Sequence, residues 1–419
     1  MMQNQAQTET FYGLGIVPKI LEVLARLKFT KPTPIQFKAI PSAIDRKDVI
    51  GVAQTGTGKT LAFCVPMIQH LIQKRGRGLV LVPTRELAIQ VNETFHKVGV
   101  SMGIHTAVLI GGASMYHQIQ SLRRHPQVII ATPGRLIDHL ERRTVFLNNV
   151  DTLVLDEADR MLDMGFAPQI ETVLKTVPKE RQTMLFSATM AHEIMSIATR
   201  YMKLPLRIEV APSGSVAERV TQEVFIVRRD AKDKLLFKLL EQYKGTVLIF
   251  SQTKIGARRI SRFLRNMNLS AAEIHSDRTL AQRREALEGF KSGKYRILVA
   301  TDIAARGIDV VGIELVVNYD IPEDPQNYVH RIGRTARAGQ KGHAISLATP
   351  DQGDDVRSIE KLIRGNLPIA QHPEFPSESF YGARGPHAPG QRPISQRGSS
   401  WGSRRGGFAR KRSFYPRGR

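Results

Sequence analysis

The chain has 419 residues, and its 61 lysines and arginines against 38 aspartates and glutamates give a formal net charge of +23 at pH 7. A chain of this length exceeds what one hydrophobic core normally supports, so we expect two domains of about 150 to 200 residues each. The single cysteine excludes an internal disulfide, no apolar run approaches the ~20 residues of a membrane span, and no signal-peptide pattern opens the chain. We therefore expect a soluble, cytoplasmic protein.

The first predicted element is an amphipathic helix near the N-terminus. Val17, Ile20, Leu21, Leu24 and Leu27 keep helical spacing, with polar residues between them. This pattern predicts a helix that packs on the surface of the first domain.

A glycine-rich turn follows the apolar run 48–52, and residues 53–60 read Ala-Gln-Thr-Gly-Thr-Gly-Lys-Thr. Gly56 and Gly58 let the backbone curl so that successive N–H groups point at phosphate oxygens. Lys59 supplies a cation to the terminal phosphates, and the Thr60 hydroxyl can ligate Mg²⁺. Because Ala53 replaces the usual first glycine, a plain glycine turn is the alternative, but the strand–turn–helix context favours a nucleoside triphosphate site.

A second polar motif follows the apolar strand 152–155, where the sequence continues Asp156-Glu157-Ala158-Asp159. Open α/β sheets bind ligands at the carboxyl ends of their strands. We expect Asp156 to hold Mg²⁺ and Glu157 to orient or deprotonate the attacking water. A solvated acidic turn is the alternative. The phosphate-binding loop (P-loop) predicted at residues 53–60 favours the catalytic interpretation.

Short apolar strands alternate with helical stretches in both halves of the chain. The predicted strands are 128–131, 153–155, 184–186, 247–250, 297–300 and 315–317. Continuous apolar strands separated by helices favour parallel sheets covered on both faces. The predicted fold class is therefore α/β, with two copies of one architecture.

These motifs and their order resemble the DEAD-box ATP-dependent RNA helicases, whose signature is Asp-Glu-Ala-Asp. The resemblance covers about residues 11 to 350, and the compact core with a basic tail looks most like the bacterial RhlE type. The other matching segments are Phe29–Gln36, Pro83–Leu87, Gly111-Gly112, Thr132–Arg135, Ser187–Thr189, Leu248–Ser251, Ala300–Asp309 and His330–Arg337.

The resemblance implies two tandem RecA-like domains, at residues 1–208 and 219–368. A flexible linker is predicted at 209–218, where Pro, Gly and Ser interrupt the strand pattern. A disordered basic tail is predicted at 369–419, because residues 382–419 hold nine arginines and one lysine but no acid. Arginine and glycine with scattered aromatics suit single-stranded nucleic acid, and a solubility tail is the alternative.

The resemblance also implies residue roles. The catalytic set is Lys59, Asp156, Glu157, Arg334 and Arg337, the two arginines acting as fingers from the second domain. The ATP-binding set is Phe11, Gln36, Ala53, Gln54, Thr55, Gly56, Thr57, Gly58, Lys59, Thr60 and Asp309, with Phe11 stacking on adenine, and Thr60 and Asp156 are the Mg²⁺ ligands. The RNA-binding set is Pro83, Thr84, Arg85, Gly111, Gly112, Thr132, Pro133, Gly134, Arg135, Thr301 and Asp302. The residues that couple the two sites are Asp159, Ser187, Thr189 and His330.

The chain departs from the family pattern at a few positions. Leu280 stands where the family often has glutamine, so a polar contact from this position to nucleic acid is not expected. Ser276 and Ala336 each replace a commoner glycine.

The implied activity is local unwinding of short RNA duplexes, or remodelling of RNA–protein complexes, by ATP- and RNA-driven domain closure. We expect a monomer that binds RNA without sequence preference, with ribonucleoprotein partners through the tail. The alternatives are an ATP-dependent RNA clamp, a DNA helicase and, least favoured, an unrelated P-loop ATPase.

Overall fold

A computed structural model describes residues 10–53, 56–74, 76–210, 220–305, 310, 312–336, 342–376 and 378–381. The described residues form two parallel sheets with helices on both faces. None of the helices in these ranges is both long and apolar enough to cross a membrane.

The first domain is built on a seven-stranded parallel sheet in the order β3-β4-β2-β5-β6-β1-β7. Its strands are β1 Val49–Val52, β2 Arg77–Leu81, β3 Thr106–Leu109, β4 Val128–Ala131, β5 Val150–Leu155, β6 Gln182–Ser187 and β7 Leu206–Glu209. Its helices are α1 Pro18–Arg26, α2 Pro34–Ile44, α3 Lys59–Gln73, α4 Arg85–Gly99, α5 Met115–Arg123, α6 Pro133–Glu141, α7 Ala158–Asp163, α8 Ala167–Thr176 and α9 His192–Tyr201.

The second domain has a six-stranded parallel sheet in the order β10-β11-β9-β12-β13-β8. Its strands are β8 Val220–Ile226, β9 Val247–Phe250, β10 Ala271–Ile274, β11 Ile297–Ala300, β12 Leu315–Asn318 and β13 Gly342–Ala348. Its helices are α10 Lys232–Gln242, α11 Lys254–Asn266, α12 Leu280–Lys291, α13 Asp302–Ala305, α14 Pro325–Ile332 and α15 Gly353–Ile363. Apart from β7, this strand order repeats that of the first domain, which confirms the predicted duplication of one α/β architecture.

The predicted strands and the N-terminal helix are confirmed. Each predicted strand lies within an observed one, and its residues are almost all buried because both faces of the sheet are covered. Along β1, Val49 joins one hydrophobic cluster, while Ile50 and Val52 join the cluster on the other face. Helix α1 buries Ile20 and Leu24 against the first of these clusters.

The predicted start of the disordered tail, at residue 369, is wrong. Ile369 pairs in parallel with Val224 of β8, and the segment that follows stays on the second domain up to residue 381. Phe375 and Phe380 pack against its two hydrophobic clusters. Strand β8 is the edge of the sheet, and covering it with this segment hides backbone groups that would otherwise be unpaired. The tail from residue 382 lies outside the described residues.

The predicted linker begins slightly later than expected. Glu209 is the last residue of β7, and the Val210 N–H donates to the Val52 carbonyl. Residues 211–219 lie outside the described residues.

Candidate functional site

The loop after β1 has the backbone that a phosphate site requires. Gly56 and Gly58 have φ angles of 87° and 88°, in the left-handed region that glycine adopts without strain. Lys59 begins α3 and is buried, and its Nζ donates to the Ala53 carbonyl at 2.8 Å. Thr57 and Thr60 lie in the same turn, while Gln54 and Thr55 lie outside the described residues.

Gln36 holds this loop from α2. Its Nε2 donates to the Gly58 carbonyl at 3.0 Å, and its Oε1 accepts from the Thr33 N–H at 2.9 Å. A side chain at position 58 would place its Cβ 2.3 Å from Gln36 Nε2, so glycine is required there for space as well as for φ. The amide of Gln36 keeps one further donor and one further acceptor site for a ligand.

Phe11, which the sequence predicted to stack on adenine, is only 3% exposed and belongs to the first-domain core. Its ring is already covered by protein. In the structure Phe11 packs in the core, and its stacking on adenine stays a prediction.

The carboxylates after β5 are buried directly beside the loop. Asp156 and Glu157 are 2% and 3% exposed, and the Asp156 Oδ1 accepts from the Glu157 N–H at 3.0 Å. Burial raises the pKa of Asp156 to about 7, against the opposing effect of the Lys59 charge. Glu157 has a φ of 53°, a left-handed conformation that is strained for a residue with a Cβ and recurs at functional sites.

Glu157 is kept ionised by its neighbours. Burial acts to raise its pKa, but the charges of Arg160, Lys59 and Arg334 outweigh it and hold that pKa below its usual range. Arg160 contacts Glu157 directly, with Nη1 3.0 Å from Oε2. The sequence prediction missed Arg160, although its position three residues after Glu157 on a helix is the available signal.

The second domain reaches these carboxylates. Arg334, after α14, is 3% exposed and close enough to lower the pKa of Glu157. Burial, followed by the charge of Arg160, lowers the pKa of His330 to about 3, while Asp159 acts to raise it. His330 is therefore neutral at pH 7. Arg337 and Asp309 lie outside the described residues.

Asp159 connects this site to the loop after β6. Its Oδ2 accepts from the backbone N–H groups of Ala188 and Thr189 at 2.9 and 3.0 Å, and the Thr189 N–H also reaches the Ser187 hydroxyl at 3.4 Å. Burial acts to raise the pKa of Asp159, but the charges of Lys59 and Arg160 lower it overall.

Three first-domain segments meet at the carboxyl ends of β2, β3 and β4. Arg85 lies over the backbone of the glycine pair, because a Cβ at Gly112 would fall 2.2 Å from its Nη1. Arg135 reaches the same turn by donating from Nη1 to the Ala113 carbonyl at 3.1 Å. Thr84 caps α4 by accepting from the Leu87 N–H, and Thr132, Pro133 and Gly134 start α6. With Pro83, the predicted first-domain RNA segments therefore form one surface.

The second-domain counterpart follows β11, where Thr301 leads into α13. Asp302 does not present a free carboxylate, because Arg331 pairs with both of its oxygens at 2.6 and 2.7 Å. Arg331 also donates to the Asp320 carbonyl at 2.6 Å. The sequence placed Asp302 among the RNA contacts, and the geometry gives it the role of positioning the Thr301 turn.

The sequence prediction also missed an ion pair that joins the two domains. Arg283 on α12 lies with Nη2 2.8 Å from Oε2 of Glu86 on α4, and both residues are buried. Leu280, one turn earlier on α12, packs against the first-domain core cluster. Leu280, for which no polar contact to nucleic acid was expected, thus makes an apolar contact with the other domain.

Known proteins match this arrangement. Residues 33–197 match the DEAD/DEAH box helicase model, and residues 231–339 match the helicase conserved C-terminal domain model. The ATP-dependent rRNA helicase RRP3 of Debaryomyces hansenii is 44% identical over 364 residues, which cover 86% of this chain and 76% of that protein. The chain belongs to the DEAD-box helicase family.

Other DEAD-box relatives extend the comparison. The ATP-dependent RNA helicase CshA of Listeria monocytogenes is 44% identical over 375 residues, which cover 89% of this chain and 72% of that protein. The structure of S. cerevisiae Dbp5 bound to RNA and ADP BeF3 matches with a TM-score of 0.77 at 30% identity, covering 86% of this chain and 95% of that one. Mss116p bound to ssRNA and AMP-PNP matches with a TM-score of 0.78 at 30% identity, covering 86% and 78%. The RhlE subtype stays a prediction.

Proposed function

We propose that this chain is an ATP-dependent RNA helicase that closes its two domains on ATP and RNA, and thereby separates short duplexes or remodels RNA–protein complexes. The observation that carries this proposal is the approach of Arg334, from the second domain, to Glu157, which lies beside Asp156 and Lys59 in the first domain. Parts of the hydrolytic site come from different domains, so the site is complete only when the domains are together.

The P-loop backbone and Lys59 would bind the phosphates, and the free donor and acceptor of Gln36 would contact the adenine edge. Asp156 and Thr60 offer a carboxylate and a hydroxyl oxygen, the hard ligands that suit Mg²⁺. Among the described residues no cluster of three or more His, Cys, Asp or Glu side chains could hold a metal alone. Phosphate oxygens and water would therefore complete the shell, and bound Mg²⁺ would neutralise charge on the phosphates.

Glu157 would accept a hydrogen bond from the attacking water and align it with the terminal phosphate. Its depressed pKa keeps it ionised at neutral pH, as this role requires. Arg334, with Arg337, would stabilise negative charge on the transferred phosphoryl group, an effect worth ~10³–10⁵ in rate for arginine fingers.

RNA would bind across the segments that follow β2, β3, β4 and β11. Apart from Arg85 and Arg135 their side chains are small, and short polar segments of this kind suit phosphates and sugars more than base edges, which favours binding without sequence preference. Closure would then be favoured by ATP and by RNA together, and each ligand would increase affinity for the other. A closed groove that fits only a single strand would open a duplex locally.

Steady-state ATP hydrolysis, measured with RNA, with DNA of the same sequence and without nucleic acid, tests this proposal. We expect weak basal activity, strong stimulation by RNA and little by DNA, with Lys59→Ala inactive throughout. Equal rates with and without RNA would exclude the closure mechanism, and equal stimulation by DNA would favour a DNA helicase. RNA-stimulated hydrolysis without strand separation would favour the RNA clamp.

A further inference from the structure

Helix α11 of the second domain carries an unusual charge. Five of its 13 residues are basic and none is acidic, and the basic residues are Lys254, Arg258, Arg259, Arg262 and Arg265. Like charges spaced four residues apart on a helix cost ~0.2–0.5 kcal/mol per pair. Lys254 is also the first residue of the helix, where a cation opposes the helix dipole. The stability of the helix therefore does not explain these residues.

The basic side chains lie on the outer face of α11. Ala257, Ile260 and Leu264 pack against the sheet, which leaves Lys254 and Arg258 about half exposed, at 51% and 49%. Ile255, next to Lys254, is 72% exposed. The helix thus presents a cationic face that begins with an uncovered apolar side chain.

Acidic neighbours only partly compensate this charge. Asp277 pairs with both Lys254 and Arg258, and Asp233 pairs with Arg259. The buried Glu273 pairs with Arg265 and with Arg278, a sixth cation beside the helix. Three carboxylates thus face six cations. Within the described ranges, Arg262 has no carboxylate at ion-pairing distance.

The position of α11 connects this face to the proposed RNA groove. The helix starts at its cap, Thr253, directly after β9, whose neighbour in the sheet is β11. Strand β11 ends just before Thr301, so the first turn of α11 and the Thr301 segment share one edge of the sheet. From there α11 crosses β10 and β11, and Lys254 and Arg265 are ~16 Å apart along its axis. It covers the face of the sheet opposite α12, the helix that contacts the first domain.

We propose that the outer face of α11, formed by Lys254, Arg258, Arg262 and Arg265, binds the sugar–phosphate backbone of RNA that extends beyond the closed groove. This inference rests on the proposed function, because it assumes an RNA strand in that groove. The cations form a linear track that begins at the groove edge, which suits a continuous strand better than a compact acidic protein. Phosphate contacts of this kind hold RNA without reading its sequence.

The test uses the full-length protein carrying Lys254→Gln, Arg258→Gln and Arg262→Gln. Arg265 is retained because its partner Glu273 is buried. The control carries Lys97→Gln, Arg123→Gln and Arg142→Gln, which remove the same charge from exposed positions at the far ends of α4, α5 and α6. Each protein is assayed with the shortest oligouridylate that fully stimulates the parent ATPase, and with the same RNA extended at its 5′ or its 3′ end.

The α11 variant should bind the short RNA with the same affinity as the parent. It should bind one of the extended RNAs about tenfold more weakly at moderate salt, because it loses about three phosphate contacts. The slope of log affinity against log salt should fall by ~2, at ~0.7 per contact on single strands. Its thermal stability should stay close to that of the parent, since the relief of repulsion within α11 offsets the loss of the exposed pairs with Asp277. The control should keep the parental preference for extended RNA.

Unchanged affinity and salt slope for both extended RNAs would overturn the proposal and leave this face to an acidic protein partner. Equal losses of affinity for extended RNA in the α11 variant and in the control would also overturn the proposal, since the change in net charge alone would then explain both losses. If the parent shows no RNA-stimulated hydrolysis, the proposed function itself fails. Stimulation of the parent by all the RNAs, with no effect of the α11 substitutions, would reject only the inference about α11.

Discussion

Arg283 of the second domain and Glu86 of the first form a buried ion pair, with Nη2 and Oε2 2.8 Å apart. Burial raises the pKa of the Glu86 carboxyl, and the Arg283 charge acts against that increase. Both side chains would return to water if the domains separated. The pair therefore contributes to the equilibrium between separated and closed domains more than to the stability of either domain.

Arg283→Ala should impair closure, because it leaves the Glu86 carboxylate buried without a partner in the closed state. Breaking a buried ion pair costs ~3–5 kcal/mol. When the domains separate, Glu86 returns to water, so this cost applies only to the closed state. We expect the RNA concentration for half-maximal ATPase stimulation to rise tenfold or more, with basal ATP binding unchanged. Arg284→Ala is the control, because that side chain is exposed and its ion pair among the described residues is with Glu288 on its own helix.

The exchanged pair Glu86→Arg with Arg283→Glu should recover part of the lost stimulation. Recovery would show that the two residues act on each other. If Arg283→Ala had no effect on the RNA concentration required, this ion pair would not contribute to closure.

Glu157→Gln should separate binding from hydrolysis. The amide keeps the shape of the side chain but loses the charge that orients water, so we expect the hydrolysis rate to fall by ~10²–10⁴ while ATP and RNA still bind. The complex with RNA should be long-lived in the presence of ATP, as measured by RNA dissociation after dilution. Lys59→Ala should instead weaken nucleotide binding. Hydrolysis at the parental rate by Glu157→Gln would contradict the role given to this residue.

Truncation at two points should distinguish the basic tail from the segment that covers β8. A chain ending at Tyr381 should keep the parental stability and turnover at saturating RNA, but its RNA affinity should depend less on salt. If the tail contacts four or five phosphates, the slope should fall by ~3. An unchanged slope would leave the tail as a solubility segment or a protein-binding segment.

A chain ending at Leu367 should also lose stability, because it lacks Phe375 and Phe380 and exposes the edge of β8. Removal of a fully buried phenylalanine typically costs ~3–5 kcal/mol, and because these two rings are only partly buried, we expect a loss of ~2–4 kcal/mol for both together by chemical unfolding. Equal stability of the two truncated chains would contradict the packing described for residues 369–381.

Lys232 should make the stability of the second domain depend on pH. Burial lowers the pKa of this lysine to about 8, and its Nζ donates to the Tyr319 carbonyl at 2.9 Å. Between pH 8 and the ordinary lysine value, the unfolded chain binds more protons than the folded one, so the free energy of unfolding should rise with pH. Unfolding at pH 8 and pH 10, compared with Lys232→Met, measures this contribution. An identical pH dependence in both proteins would contradict it.

Features that depend on residues close together in the chain could be predicted from the amino-acid pattern. The turn with Gly56 and Gly58, the strand that leads into Asp156 and the amphipathic helix α1 each reflect local backbone preference or hydrophobic spacing. The fully apolar strands predicted parallel sheets because only strands covered on both faces exclude polar residues. The order of the motifs predicted the family.

Only the tertiary structure decided which distant side chains meet. Arg283 and Glu86 are nearly two hundred positions apart, and their pairing depends on how two independently packed domains are placed. Phe11 packs into the first-domain core cluster, and the described residues between 369 and 381 cover the edge of β8. Their own composition is compatible with exposure. Burial, charge pairing and edge coverage depend on which residues surround a side chain in the folded protein. Those neighbours are distant in the sequence, so the local sequence pattern does not predict them.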